Sequence, residues 1–92
     1  MSFVEVEDGV NYFYEDRGTG KTIVFVHGWG ASSMVWERQA VDFSDDYRVI
    51  TVDLRGCGKS DKPAHGYALK DLSKDLYHFI NALELKDVTL VV

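Results

Sequence analysis

The sequence predicts an α/β fold in which an antiparallel hairpin leads into a mostly parallel sheet, and three observations predict it. Asp8-Gly9, a strong two-residue hairpin signal, joins two aromatic and β-branched runs near the start. Three continuous apolar runs follow, of the kind that suits strands covered on both faces. The two gaps between those runs carry helical periodicity, which gives the order hairpin, then β-α-β-α-β with right-handed crossovers. With 92 residues the chain holds one domain at most, and its core is expected to be thin.

The hairpin strands are expected over Phe3 to Glu7 and Val10 to Glu15, where apolar and polar residues partly alternate. After a Gly18-Thr19-Gly20 turn comes "TIVFV", Thr22 to Val26, the first covered strand. In the gap that follows, Trp36, Ala40 and Phe43 recur at helical spacing, and Ser32 or Ser33 is placed to cap the start. "RVITV", Arg48 to Val52, is the next strand. Leu69, Leu72, Leu76, Phe79, Ile80 and Leu83 then form an apolar helical stripe, with Asp71, Lys74, Asp75 and His78 placed off it. Ala68 is a weak cap for that helix. "DVTLVV", Asp87 to Val92, is the last strand.

Composition excludes several function classes. A hydrophobic content of 46% with 27% charged residues is ordinary for a globular protein and argues against disorder. The formal charge of -5 offers no basic patch for a phosphate backbone, so nucleic acid is not expected as a partner. No apolar run is long enough to span a membrane. Glu5, Glu7 and Asp8 stand where a signal peptide would carry basic and then apolar residues, so the cytoplasm is the expected compartment. Cys57 is the only cysteine, which excludes an intrachain disulfide and a cysteine-rich metal site.

In a parallel sheet of this kind, ligands bind beyond the carboxyl ends of the strands. Two such ends carry loops: "HGWGASS", His27 to Ser33, and "DLRGCGKSDKP", 53 to 63. The second contains Gly58-Lys59-Ser60, the close of a phosphate-cradling P-loop. A P-loop needs glycine at position 53, where Asp53 stands, and a helix directly after Ser60, where Asp61, Lys62 and Pro63 stand. The loop therefore serves another purpose.

His27-Gly28-Trp29-Gly30, taken together with Asp53, Arg55, Gly56, Gly58 and Ser60, resembles the α/β-hydrolase family, whose members carry H-G-x-G or H-G-x-P after the third strand and D-x-R-G-x-G-x-S after the fourth. Element order and spacing agree with that family over nearly the whole chain. The resemblance implies that residues 1 to 92 are the N-terminal portion of a single hydrolase domain, ending just before the nucleophile elbow. It implies that the Trp29 backbone N–H is one of two oxyanion-hole donors, supported by His27, Gly28 and Gly30. Acyl transfer builds negative charge on a carbonyl oxygen, and removing one preorganised donor typically costs on the order of a hundredfold or more in rate. Asp53, Arg55, Gly56, Gly58 and Ser60 would form a structural loop beneath the nucleophile elbow. In it, Asp53 would accept backbone N–H groups and Arg55 would pair with a nearby carboxylate, leaving Lys59 and Asp61 solvated. No G-x-S-x-G occurs in the chain, and family order places serine, acid and histidine beyond Val92. The implied activity of the complete enzyme is hydrolysis of a small ester-like substrate through an acyl-serine, without metal or organic cofactor.

Two other readings stand beside this one. Gly28, Gly30 and Ser33 after a strand, with Asp53 closing the next, approximate a dinucleotide-binding fingerprint, although a serine replaces its third glycine and a hairpin precedes its first strand. Alternatively, the 87–92 strand is an edge that would associate with the rest of a hydrolase domain or with a second copy of the chain. Individual residues mostly take structural roles. His65 and His78 are expected to be solvated, Cys57 inert and Ser60 a loop hydrogen-bonding group. Trp36 is expected in the core, and Tyr12, Phe13 and Tyr14 in hairpin packing.

Overall fold

The structure, a computed structural model, describes residues 2–28 and 30–92. Strands β1 (Ser2–Glu7) and β2 (Val10–Arg17) form the expected hairpin, with Phe3 opposite Phe13 and their rings edge to face at 5.4 Å. β2 continues antiparallel onto β4 (Arg48–Val52), which pairs in parallel with β3 (Thr22–Val26). β5 (Thr89–Val91) lies parallel on the far side of β3, so the sheet order is β1-β2-β4-β3-β5.

The sheet is covered on both faces because its strands alternate at period two. Val24, Val26, Ile50 and Val52 point to one side, where they pack with Val6, Tyr12 and Phe79 under α2 (Leu69–Ala82). Phe25 and Val49 point to the other side, against Ala40 of α1 (Glu37–Phe43) and the Trp36 ring, whose centroid is 4.9 Å from that of Phe25. Neither covering helix is long and apolar enough to cross a membrane.

Three elements differ from expectation. The first helix opens with a 3-10 turn, Ser33–Trp36, capped by the Ser32 hydroxyl, which accepts from the Met34 N–H at 3.3 Å. β5 is shorter than the predicted 87–92 span, because Asp87 adopts a left-handed φ of 52° that no strand residue holds. Leu69 belongs to the apolar stripe of α2 by spacing, yet it stands in the first turn and is 81% exposed. α2 starts with half of a capping box: Ala68 has no side-chain acceptor, but the Asp71 carboxylate reaches back to accept the Ala68 N–H. It ends in a Schellman turn, in which the Leu85 N–H bonds the Ile80 carbonyl and Glu84 takes a left-handed φ of 54°.

Candidate functional site

Because β3 and β4 are adjacent and in register from Thr22↔Arg48 to Val26↔Val52, the loops at their carboxyl ends leave the sheet side by side. The first loop starts with His27, buried at 3% exposure. Its Nε2 lies 3.0 Å from the Leu54 N–H, and its Nδ1 lies 2.7 Å from the Gly28 carbonyl oxygen. An amide N–H can only donate and a carbonyl can only accept. The ring is therefore neutral, accepting at Nε2 and donating from Nδ1–H. The Ala31 N–H also bonds the Gly28 oxygen, at 3.1 Å, closing a tight turn in which Gly30 holds a φ of 82° that favours glycine. Trp29, the expected oxyanion donor, lies outside the described residues.

The second loop is built around one buried carboxylate. Asp53, 2% exposed, accepts the Ser33 N–H on Oδ1 at 2.7 Å and the Lys59 N–H on Oδ2 at 2.9 Å. At Gly58, φ is 52° and a Cβ would overlap the Asp53 carboxyl group, so only glycine lets the backbone come this close. This accounts for the Gly-Lys-Ser triplet. The loop does cradle an anion with backbone donors, but the anion is a side chain of the same chain. Ser60 completes the arrangement: its hydroxyl donates to the Asp53 carbonyl at 2.5 Å and accepts the Phe13 N–H at 2.7 Å, fastening the loop to β2. His27 and Asp53 thus each brace one loop against the other.

This geometry argues against dinucleotide binding. Both Asp53 oxygens are taken by backbone donors, so the carboxylate is closed to a ribose hydroxyl. The Ser33 N–H, at the start of the helical segment where a pyrophosphate would sit, is already bonded. The Lys59 ammonium lies 4.9 Å over the Phe13 ring, and the exposed Asp61 carboxylate accepts the Asn11 N–H at 2.8 Å rather than being merely solvated.

Arg55 belongs to a separate centre. Its Nε and Nη2 grip both oxygens of Asp75 at 2.7 and 2.8 Å, Nη2 also reaches Glu7 at 2.7 Å, and Nη1 donates to the His65 carbonyl at 3.1 Å. The Tyr12 hydroxyl donates to the same Asp75 carboxylate at 2.6 Å. The hydrogen bonds to Asp75 raise the Arg55 pKa further, although burial opposes this. Burial pushes the Tyr12 hydroxyl well above its ordinary value, and the Asp75 carboxylate adds to the effect. Arg55 therefore stays charged and Tyr12 protonated over the whole physiological range, and the centre pins α2 to the loop and to the hairpin.

Asp75 is the residue that sequence reasoning misplaced. It was expected off the apolar stripe, and it is 2% exposed. The signal was available in its spacing: three residues after Leu72 and four before Phe79, it stands within the stripe, so a charge there calls for a buried cation. The exposed His78 also has a structural contact, its Nδ1–H donating to the Val6 carbonyl at 2.7 Å. Cys57 is buried in the core under α2, and Trp36 is half-buried, its indole N–H without a hydrogen-bond partner among the described residues. Among the described residues, no three His, Cys, Asp or Glu side chains come together as a metal site.

Comparison with known proteins places these features in context. A family model described as alpha/beta hydrolase fold matches residues 21–92. A non-heme chloroperoxidase of Kitasatospora aureofaciens is 39% identical over 92 residues, which make up 99% of this chain and 34% of that protein. An esterase from Exiguobacterium antarcticum superimposes with a TM-score of 0.92 at 40% identity, over 97% of this chain and 34% of that one. An epoxide hydrolase from Bacillus megaterium does so with a TM-score of 0.90 at 34% identity, over 99% and 32% of the two chains. The chain thus spans about a third of the length of the relatives it matches.

Proposed function

From the premise that this chain belongs to the α/β-hydrolase fold family, we propose that the whole protein hydrolyses a small carboxylic ester through an acyl-serine intermediate. The observation that carries the proposal is the double brace on the loop after β3. His27 holds the Gly28 carbonyl and Asp53 holds the Ser33 N–H, so that loop is anchored at both of its ends. A fixed main-chain donor there would stabilise the charge that develops on a carbonyl oxygen without reorganising during the reaction. The Trp29 N–H is assigned that role, with His27, Gly28 and Gly30 as its support. Asp53, Arg55, Gly56, Gly58 and Ser60 form the loop beneath the nucleophile elbow. The nucleophile, acid and base come from outside these 92 residues, and the chemistry uses no cofactor.

Relatives named as a chloroperoxidase, an esterase and an epoxide hydrolase share this part of the fold, so the choice among them rests on local chemistry. Gly30 stands where epoxide hydrolases usually carry proline, which favours an acyl-serine over an aspartate nucleophile. The gene product is expected to hydrolyse a 4-nitrophenyl ester with saturable kinetics and to be silenced by a fluorophosphonate that labels one serine. Turnover without serine labelling, with solvent 18O appearing in an aspartate, would replace the serine reading by the aspartate one. The 92-residue chain alone is expected to be inactive in the same assay.

β5 forms the edge of the sheet, with Leu90 47% exposed. We assign this edge to pairing with the rest of a hydrolase domain or, failing that, with a second copy of the chain. Co-expression of the 92 residues with the remaining part of the gene product should restore esterase activity; recovery of a single inactive monomeric species would rule the assignment out.

A further inference from the structure

We propose that a polar cleft at the amino ends of β3 and β5 binds a phosphate monoester whose organic part carries a hydroxyl group, at the opposite end of the sheet from the loops described above. The cleft measures about 560 Å³ and is lined by Gly20, Lys21 and Thr22, where the chain enters β3, and by Lys86, Asp87 and Thr89, where it enters β5. β3 is five residues long, so at about 3.3 Å per residue the cleft lies roughly 16 Å from the loop that starts at His27. β5 pairs with β3 only from Ile23↔Thr89 onward. The chain reaches it from α2 through a connection whose Leu83, Leu85 and Val88 pack into the core under that helix.

Thr22 is what makes this cleft a site. It is 8% exposed, and its hydroxyl has no hydrogen-bond partner among the described residues. By strand alternation its side chain shares the α2 side of the sheet with Val24 and Val26, the side from which the connection to β5 descends. A hydroxyl withdrawn from bulk water without a partner is unfavourable, so it calls for an acceptor in the cleft. Lys21 and Lys86 bring one ammonium group from each strand, and among the described residues neither is engaged by a hydrogen bond or an ion pair. A hydroxyl donor together with two cations suits a tetrahedral oxyanion, which can offer a separate oxygen to each, better than a planar carboxylate with two oxygens. The Asp87 carboxylate lines the same cleft and is likewise unpaired among the described residues. It repels a free dianion but accepts a hydroxyl, which favours a hydroxyl-bearing ester over inorganic phosphate. A ligand held from both strands also bridges β5 to its neighbour β3, so occupancy stabilises the folded chain by mass action.

Titration calorimetry on the protein as its gene encodes it tests this, with glycerol 3-phosphate as the probe. Saturable binding is expected, with a Kd on the order of 1 mM or tighter. T22V keeps the β-branched shape and removes the hydroxyl, and it should weaken binding by about tenfold or more, the scale of one hydrogen bond to a charged group. K21M and K86M should do the same, whereas K74M on α2, which does not line the cleft, should bind as the wild type does. Inorganic phosphate should bind more weakly than the ester, and D87N should narrow that difference. Absence of saturable binding, or binding that K21M and K86M leave unchanged, overturns the site. Both lysines are exposed, so their variants decide the matter even where T22V fails to fold. Equal affinities for the ester and for inorganic phosphate in the wild type overturn the choice of ligand. A gene product that binds glycerol 3-phosphate in this pattern but hydrolyses no ester loses the proposed function and keeps this site.

Discussion

Asp53 and Arg55 stand two residues apart and are both 2% exposed, yet they are held in opposite ways. Asp53 is an anion surrounded by the backbone N–H groups of its own and the neighbouring loop. Arg55 is a cation surrounded by side chains and a carbonyl from β1, α2 and the loop that precedes α2. The difference teaches how each centre can fail. Around Asp53 the donors are present whatever the side chains at 33 and 59, so shape and charge at one residue decide the outcome. Around Arg55 every partner is a separate commitment, and losing the buried one strands a charge.

The largest effect should therefore come from Asp75→Asn. Removing one member of a buried ion pair costs about 3–5 kcal/mol, whereas replacing Arg55 and Asp75 together by methionine and leucine should recover much of it. Urea unfolding of the single and double variants checks this; if the double variant falls further than the single one, the stranded-charge account fails. Asp53→Asn comes next, at about 2–3 kcal/mol, because the amide nitrogen must face one of the two backbone donors. A smaller loss than Tyr12→Phe would mean that the backbone donors are satisfied some other way.

Tyr12→Phe removes one hydrogen bond to a charged acceptor and should cost about 1.5 kcal/mol. It also carries a pH signature. Tyr12 holds its proton more tightly folded than unfolded, so its contribution is complete below the unfolded value of 10.0 and is lost as pH rises from there through the folded value. Urea midpoints measured across that range should fall less steeply in Tyr12→Phe than in the wild type, and parallel slopes would contradict the assignment. Glu7→Gln should be the mildest, below about 1 kcal/mol, since the Glu7 side chain is 57% exposed and its pairing with Arg55 is screened.

Most of the fold was legible because its signals are local. β3 and β4 follow their apolar runs residue for residue, the hairpin turns at Asp8-Gly9, and Phe79 anchors the helical stripe. The 3-10 turn was not legible, since Trp36, Ala40 and Phe43 satisfy the same spacing whether or not the first turn is wound tighter. At the site, the bonding of Asp53 and Ser60 to backbone groups followed the expected pattern. Arg55 does pair with a carboxylate, as expected, but which one was not legible, because Asp75 sits 20 residues away on a helix whose rotation about its axis the apolar stripe alone does not set. Tyr12 reads as hairpin packing from the sequence, and nothing in its neighbours along the chain announces a hydroxyl aimed at Asp75.

Glu84 ends α2 in a conformation that costs an L-residue with a side chain roughly 1 kcal/mol or more. That joint is a reserve for thermostabilisation by design: Glu84→Gly would relieve the hinge between helix and final strand without touching either polar centre, and the raised melting temperature would widen the range of destabilising variants in which those centres can be studied.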